Sequence, residues 1–103
     1  MMLKDKVYNN LKKVPKGRVT TYKELAHASD TNAYRVIGQL MKNNPYAPTV
    51  PCHRVVASDG TIGGFGGEKS GPSITRKIKM LKDEGIRFNG NKILDFDKVL
   101  FKF

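Results

Sequence analysis

Apolar residues recur at helical spacing at Leu3, Val7, Leu11 and Val14, with lysines between them, and predict an amphipathic helix that ends before Pro15. Arg18-Val19-Thr20 reads as a short extended piece. Thr21-Tyr22-Lys23-Glu24 has the form of a capping box, with Thr21 as the N-cap and Glu24 three residues on. A short helix should then run through Leu25, Ala26 and Ala28, and Ser29-Asp30-Thr31-Asn32 supplies turn and cap chemistry. A second helix is predicted from Ala33 to Lys42, with Val36, Ile37, Leu40 and Met41 facing inward. Tyr34, Arg35, Gln39 and Lys42 are left as its polar positions. Two short helices joined by a tight polar turn suggest a helix-turn-helix, whose polar face either enters a nucleic-acid groove or is simply solvated.

The second half is patterned differently. Asn43-Asn44-Pro45-Tyr46-Ala47-Pro48 is a stiff, proline-punctuated loop. Val55-Val56 favours a strand, Ser58-Asp59-Gly60 a turn, and Thr61-Ile62 a strand pairing back on the valines. Gly63-Gly64-Phe65-Gly66-Gly67 sets one aromatic ring among four glycines: either a flexible loop, or a backbone that approaches a ligand closely beside one flat face. Gly71-Pro72 suits a helix start, Ile74, Ile78 and Leu81 an inward stripe, and Gly85 a helix stop. Ile86 to Leu94 reads as a hairpin around Asn89-Gly90, and the alternating tail Val99–Phe103 as a further strand. No repeat or low-complexity segment is visible.

Composition narrows the function classes. The chain has 103 residues, which suits one domain spanning 1–103. Lysine and arginine number 19 against 9 acidic residues, a formal charge of +10, and so large a field at this size favours a polyanionic partner, nucleic acid first. No apolar run is long enough for a membrane span, and the start turns charged at once, unlike a signal peptide. The single cysteine rules out an internal disulfide and a multi-cysteine zinc site, and fits a reducing, cytoplasmic (intracellular) setting. The glycine-rich stretch matches neither a phosphate loop nor a dinucleotide fingerprint.

That cysteine, Cys52, lies in Val50-Pro51-Cys52-His53-Arg54-Val55-Val56, next to one of only two histidines. A thiolate is the strongest nucleophile among side chains, and cationic or imidazole neighbours promote it. A lone cysteine is equally at home as a small buried hydrophobe. Adjacent side chains on a strand point to opposite faces, so His53 would need a kink or a bridging water to serve Cys52 as a base. Glu84 sits at the end of the last predicted long helix, where a negative charge is unfavourable unless something holds it.

Taken in order, Thr21-Tyr22 at a helix start, Arg35 in the next helix, Asn44-Pro45, Pro51-Cys52-His53-Arg54-Val55-Val56, Gly-Gly-aromatic and Glu84-Gly85 resemble the C-terminal, active domain of the alkylguanine-DNA alkyltransferases. The resemblance covers roughly residues 3 to 88. It implies a mainly α fold with a small β-sheet, a winged-helix-like helix-turn-helix domain. It also implies DNA repair: single, irreversible transfer of an alkyl (methyl) group from the six-position oxygen of a flipped-out guanine to Cys52. By the resemblance, His53 takes the thiol proton through a water, Glu84 orients His53, and Asn44 braces the loop behind the cysteine. Tyr22 crowds the flipped nucleotide's phosphate and assists ring protonation, and Arg35 fills the gap in the stack. DNA contacts are expected from Thr21, Tyr22, Ala33, Arg35, Gln39, Lys42 and Arg54. The base pocket is expected from Tyr22, Val55, Phe65 and Gly66, with backbone carbonyls near Cys52 and Val55 accepting from the guanine amino group. No metal or organic cofactor is implied. The implied partner is double-stranded DNA containing alkylated guanine, bound by a monomer.

Three departures from the family pattern stand out. Most members carry an N-terminal ribonuclease-H-like domain, and these 103 residues do not. The family usually has tyrosine where this chain has Phe65, and loss of one hydrogen-bond donor to the leaving oxygen would cost about 2.7–4 kcal/mol by analogy with an oxyanion-hole donor. Residues 66–72 look like a short insertion at the pocket's lip. The competing readings are a non-enzymatic lesion binder of the alkyltransferase-like kind, in which the cysteine is replaced, and an ordinary helix-turn-helix regulator with a structural cysteine.

Overall fold

A computed structural model describes residues 2–65 and 67–103. The helix α1 (Leu3–Leu11) buries Val7, Tyr8 and Leu11, and a further turn brings Val14 into the same core. β1 (Thr20–Thr21) leads directly into α2 (Tyr22–Ala28), whose N-cap is Thr21: its hydroxyl accepts from the Glu24 amide at 3.0 Å. The turn to α3 (Tyr34–Lys42) is closed by Thr31 donating to the Ala26 carbonyl and by Thr31 Oγ1 accepting from the Ala33 amide. Asn10 Nδ2 donates to the Ala28 carbonyl at 3.0 Å and ties that turn to α1. The expected helix-turn-helix is therefore present. Val36 departs from expectation: it is 43% exposed, while Ile37 and Met41 are buried. Within this unit α3 packs chiefly on α2, so one stripe suffices to seat it.

A 3₁₀ turn, Cys52–Arg54, carries the cysteine into β2 (Val55–Val56). β2 does not pair with Thr61-Ile62. Its ladder partner is β1, in parallel, with Thr20 opposite Val55 and Thr21 opposite Val56. Ile62 donates instead to Asn91, and Thr61 bridges Lys92. The two valines point to opposite faces, Val55 into a core built from α1, α2 and α3, and Val56 into a second core with Ile62, Ile74, Leu81 and Ile93.

α4 (Pro72–Asp83) begins at Pro72 as expected and buries Ile74 and Leu81. The hairpin β3 (Phe88–Asn89) and β4 (Lys92–Ile93) forms with Gly90-Asn91 as its two-residue loop, one place later than expected, and Gly90 takes φ +63°. The tail does not extend as a strand: Phe96–Val99 is a short helix, α5, and only Leu100 bridges Val19 beyond it. The result is a mainly helical fold with two small sheets, and no helix among the described residues is long and apolar enough to cross a membrane.

Candidate active site

Cys52 opens the 3₁₀ turn, a kink in place of the expected strand entry, and no direct Cys52–His53 hydrogen bond is present among the described residues. Cys52 and His53 are not alternating strand residues, and each is buried in its own direction. Cys52 is 7% exposed and borders a cavity of about 190 Å³. The cavity is walled by Tyr22 of α2, Gly38 and Met41 of α3, and Gly64 and Phe65 of the glycine-rich loop, with Lys42, Glu68 and Lys69 at its charged edge. Behind the cysteine, Asn44 Nδ2 donates to the Val50 carbonyl at 2.7 Å while its Oδ1 accepts from the Tyr46 amide at 2.9 Å. The same Val50 carbonyl accepts from the Cys52 amide, so Asn44 and the cysteine share one anchor.

His53 is buried on the other side, with Nε2 at 3.0 Å from Glu84 Oε2. Arg54 grips the same carboxylate with two hydrogen bonds, Nε to Oε1 at 2.9 Å and Nη2 to Oε2 at 2.7 Å, and its Nη1 donates to the Val14 carbonyl. Burial pushes the Glu84 carboxyl up, but hydrogen bonds and charge from Arg54 and His53 outweigh it and hold the group below its ordinary value. An ionised carboxylate only accepts, so the proton of this contact lies on His53 Nε2. In the neutral ring that leaves Nδ1 as the acceptor. Glu84 caps the C-terminal end of α4, where the helix dipole disfavours it; the arginine and histidine hold it there.

The remaining expected residues divide clearly. Arg35, Gln39 and Lys42 share an exposed face of α3, and Arg35 has no hydrogen-bond or ion-pair partner among the described residues. Tyr22 reaches the cavity and its hydroxyl donates to the Gly64 carbonyl at 3.4 Å; burial first, and the neighbouring Cys52 second, push its phenol up. Thr21 is buried and its hydroxyl is engaged in capping, and Ala33 is the half-buried N-cap of α3. Arg54 lies against Glu84 and Val14 rather than on the α3 face. Val55 is a core residue, not a wall of the cavity, and its carbonyl is already bound by a lysine. Gly66 lies outside the described residues.

That lysine, Lys77, was not anticipated. It is fully buried on α4, between Ile74 and Leu81. The spacing 74-77-78-81 places it on the very stripe read as apolar, and a lysine at an inward position was the available signal.

Residues 2–86 match the family profile described as 6-O-methylguanine DNA methyltransferase, DNA binding domain. The chain belongs to this family. It is 47% identical over 83 residues to the methylated-DNA–protein-cysteine methyltransferase of Thermococcus kodakarensis, covering 80% of this chain and 44% of that protein. The O6-methylguanine-DNA methyltransferase structure from Pyrococcus kodakaraensis superimposes with a TM-score of 0.69 at 46% identity, over 84% of this chain and 47% of that one. The structure of S. pombe Atl1 in complex with damaged DNA containing O6-carboxymethylguanine superimposes with a TM-score of 0.80 at 28% identity, over 98% of this chain and 95% of the other. The chain thus spans about half or less of the curated methyltransferase relatives it matches, and almost the whole of Atl1.

Proposed function

We propose that this member of the family repairs DNA by accepting an alkyl group, methyl first, from the six-position oxygen of guanine onto Cys52. The observation that carries the reading is the placement of Cys52. It stands at the edge of a small cavity under α3, in the same 3₁₀ turn as a histidine whose other ring nitrogen is held by a carboxylate. Exposed Arg35 on α3 supports entry of that helix into a DNA groove, with the arginine taking the place of an extruded base.

The step balances as follows. The Cys52 thiol gives its proton, through a water, to Nδ1 of His53, and the cation so formed is stabilised by Glu84. The sulfur attacks the methyl carbon in line. An S–C bond forms, the C–O6 bond breaks with its electron pair going to guanine, and the base takes up a proton with help from Tyr22. The thioether is not reversed, so the protein acts once.

The test is the intact mass of the protein after incubation with a duplex carrying O6-methylguanine. A gain of one methyl group in the wild type and none in Cys52→Ala is expected. Tight binding to the lesion with no mass gain would replace this reading by a second one, recognition without chemistry. That alternative is favoured by the near full-length likeness to Atl1 and by Phe65, which offers no hydroxyl to the leaving oxygen.

A further inference from the structure

Tyr8 of α1 lies in the same core as Met41, Val50 and Cys52, and only 6% of it is exposed. Its hydroxyl donates to the Leu40 carbonyl at 2.8 Å. Leu40 is in the last turn of α3, where a helix leaves carbonyls without amide donors. The Asn43 amide goes to Gln39 and the Asn44 amide to Met41, so the tyrosine supplies a donor that the backbone does not. That turn ends in Met41 and Lys42, both at the Cys52 cavity. The Tyr8 ring meets Tyr46 edge to face, with centres 5.9 Å apart and planes at 83°. Tyr46 belongs to the loop behind the cysteine. Its amide donates to Asn44 Oδ1, its carbonyl accepts from the Val50 amide, and the Val50 carbonyl accepts from Asn44 and Cys52. One side chain of α1 thus joins the α3 wall of the cavity to the loop that anchors the cysteine. A separate cavity of about 510 Å³ opens beside both rings, between α1 and that loop. A void takes contacts away from the side chains that line it, so the directional hydroxyl bond does most to set where Tyr8 stands.

We propose that Tyr8 is a positioning residue for the transfer: its hydroxyl holds the last turn of α3, one wall of the cavity, in register with the loop behind Cys52. The inference rests on the reading of Cys52 as the acceptor. Tyr8 does not line that cavity and acts through Leu40 and Tyr46. Attack on a methyl carbon needs sulfur, carbon and leaving oxygen in line. A base held by a wall that drifts against the cysteine therefore reacts slowly even when fully bound.

Tyr8→Phe keeps the ring and removes the hydroxyl. Single-turnover methyl transfer from a duplex carrying O6-methylguanine should slow about tenfold at saturation, with the half-saturating duplex concentration within about threefold of wild type. Alkylation of Cys52, the only cysteine, by iodoacetamide without DNA should change less than about twofold, because the His53–Glu84 contact is untouched. Amide hydrogen exchange at Asn43 and Asn44 should quicken about tenfold as the turn loosens. Tyr46→Ala, at an exposed position, removes the loop's side of the contact and should slow transfer about threefold. An unaltered saturating rate in Tyr8→Phe, even with a lower melting temperature, overturns the proposal and leaves Tyr8 a core residue. Equal slowing of transfer and of iodoacetamide alkylation also overturns it, since the fault would then lie at the sulfur. Unchanged exchange at both amides overturns it whether or not transfer occurs. Absence of transfer in the wild type overturns the repair reading, and the exchange result, read without DNA, still decides whether Tyr8 holds α3. Should Tyr8→Phe fail to fold, Tyr46→Ala decides. Transfer at the wild-type rate then refutes the coupling, and slowed transfer with unchanged half-saturation supports it.

Discussion

Two charged side chains of α4, Lys77 and Glu84, stand two helical turns apart on opposite sides of the cysteine turn, and they are held in opposite ways. Glu84 is gripped by side chains, the His53 ring and the Arg54 guanidinium, and remains partly open to solvent. Lys77 is gripped only by backbone carbonyls and is sealed from solvent. The first arrangement joins a carboxylate to an imidazole and a guanidinium through side chains alone. The second fixes geometry, because backbone acceptors do not titrate and move only if the chain moves. The helix thus has a carboxylate held in its charged form at its end and, in its middle, an ammonium that burial pushes down to about 7.

The largest expected effect strikes the Glu84 end. Arg54→Ala removes a bidentate partner and a bond to Val14, leaving a largely buried carboxylate with His53 alone, and should cost about 3 kcal/mol in a urea titration. A loss near zero would mean that solvent screens this pair as it does a surface one.

Glu84→Gln keeps the shape and removes the charge. Glu84 is held below its ordinary value, near 4.5, in the folded state. Its contribution to stability is therefore present above that pH and is lost as pH falls through the depressed folded value. The melting temperature of the wild type should fall in that acid range, and Glu84→Gln should flatten the fall while slowing methyl transfer about a hundredfold. Lys77→Gln should leave the acid limb alone, since the ammonium is charged there both folded and unfolded. If both variants flatten it equally, the contrast between the two ends of α4 fails.

The smallest effect belongs to the Lys77 side. Phe65→Tyr, with its ring still against Lys77 and Arg76, should raise single-turnover methyl transfer a few-fold, by about 1 kcal/mol or less, if its hydroxyl reaches the leaving oxygen. An unchanged rate would show that another donor already serves.

Much of the site could be read along the chain. The capping of α2 by Thr21, the α2–α3 pair, the start of α4 at Pro72 and the alternation that sends Val55 and Val56 into different cores all follow from local rules. The grouping of Cys52, His53 and Glu84 came from the family resemblance rather than from spacing; of it, the structure brings His53 and Glu84 into contact. Other features were not reachable. β2 was expected to fold back on Thr61-Ile62, yet it pairs with β1, more than thirty positions earlier, and local turn signals carry nothing about so distant a partner. Arg54 was expected at DNA and instead faces Glu84, because an arginine suits a phosphate and a carboxylate equally well.

By itself the sequence determined the first four helices, the cap of α2 and the basic charge, since each is written in the type and spacing of side chains. Only the tertiary structure decided what Lys77 does. Its partners are carbonyl groups, and every residue carries one, so no residue type announces them. Folding alone brings Val55, Ile62 and Gly64 to the same nitrogen.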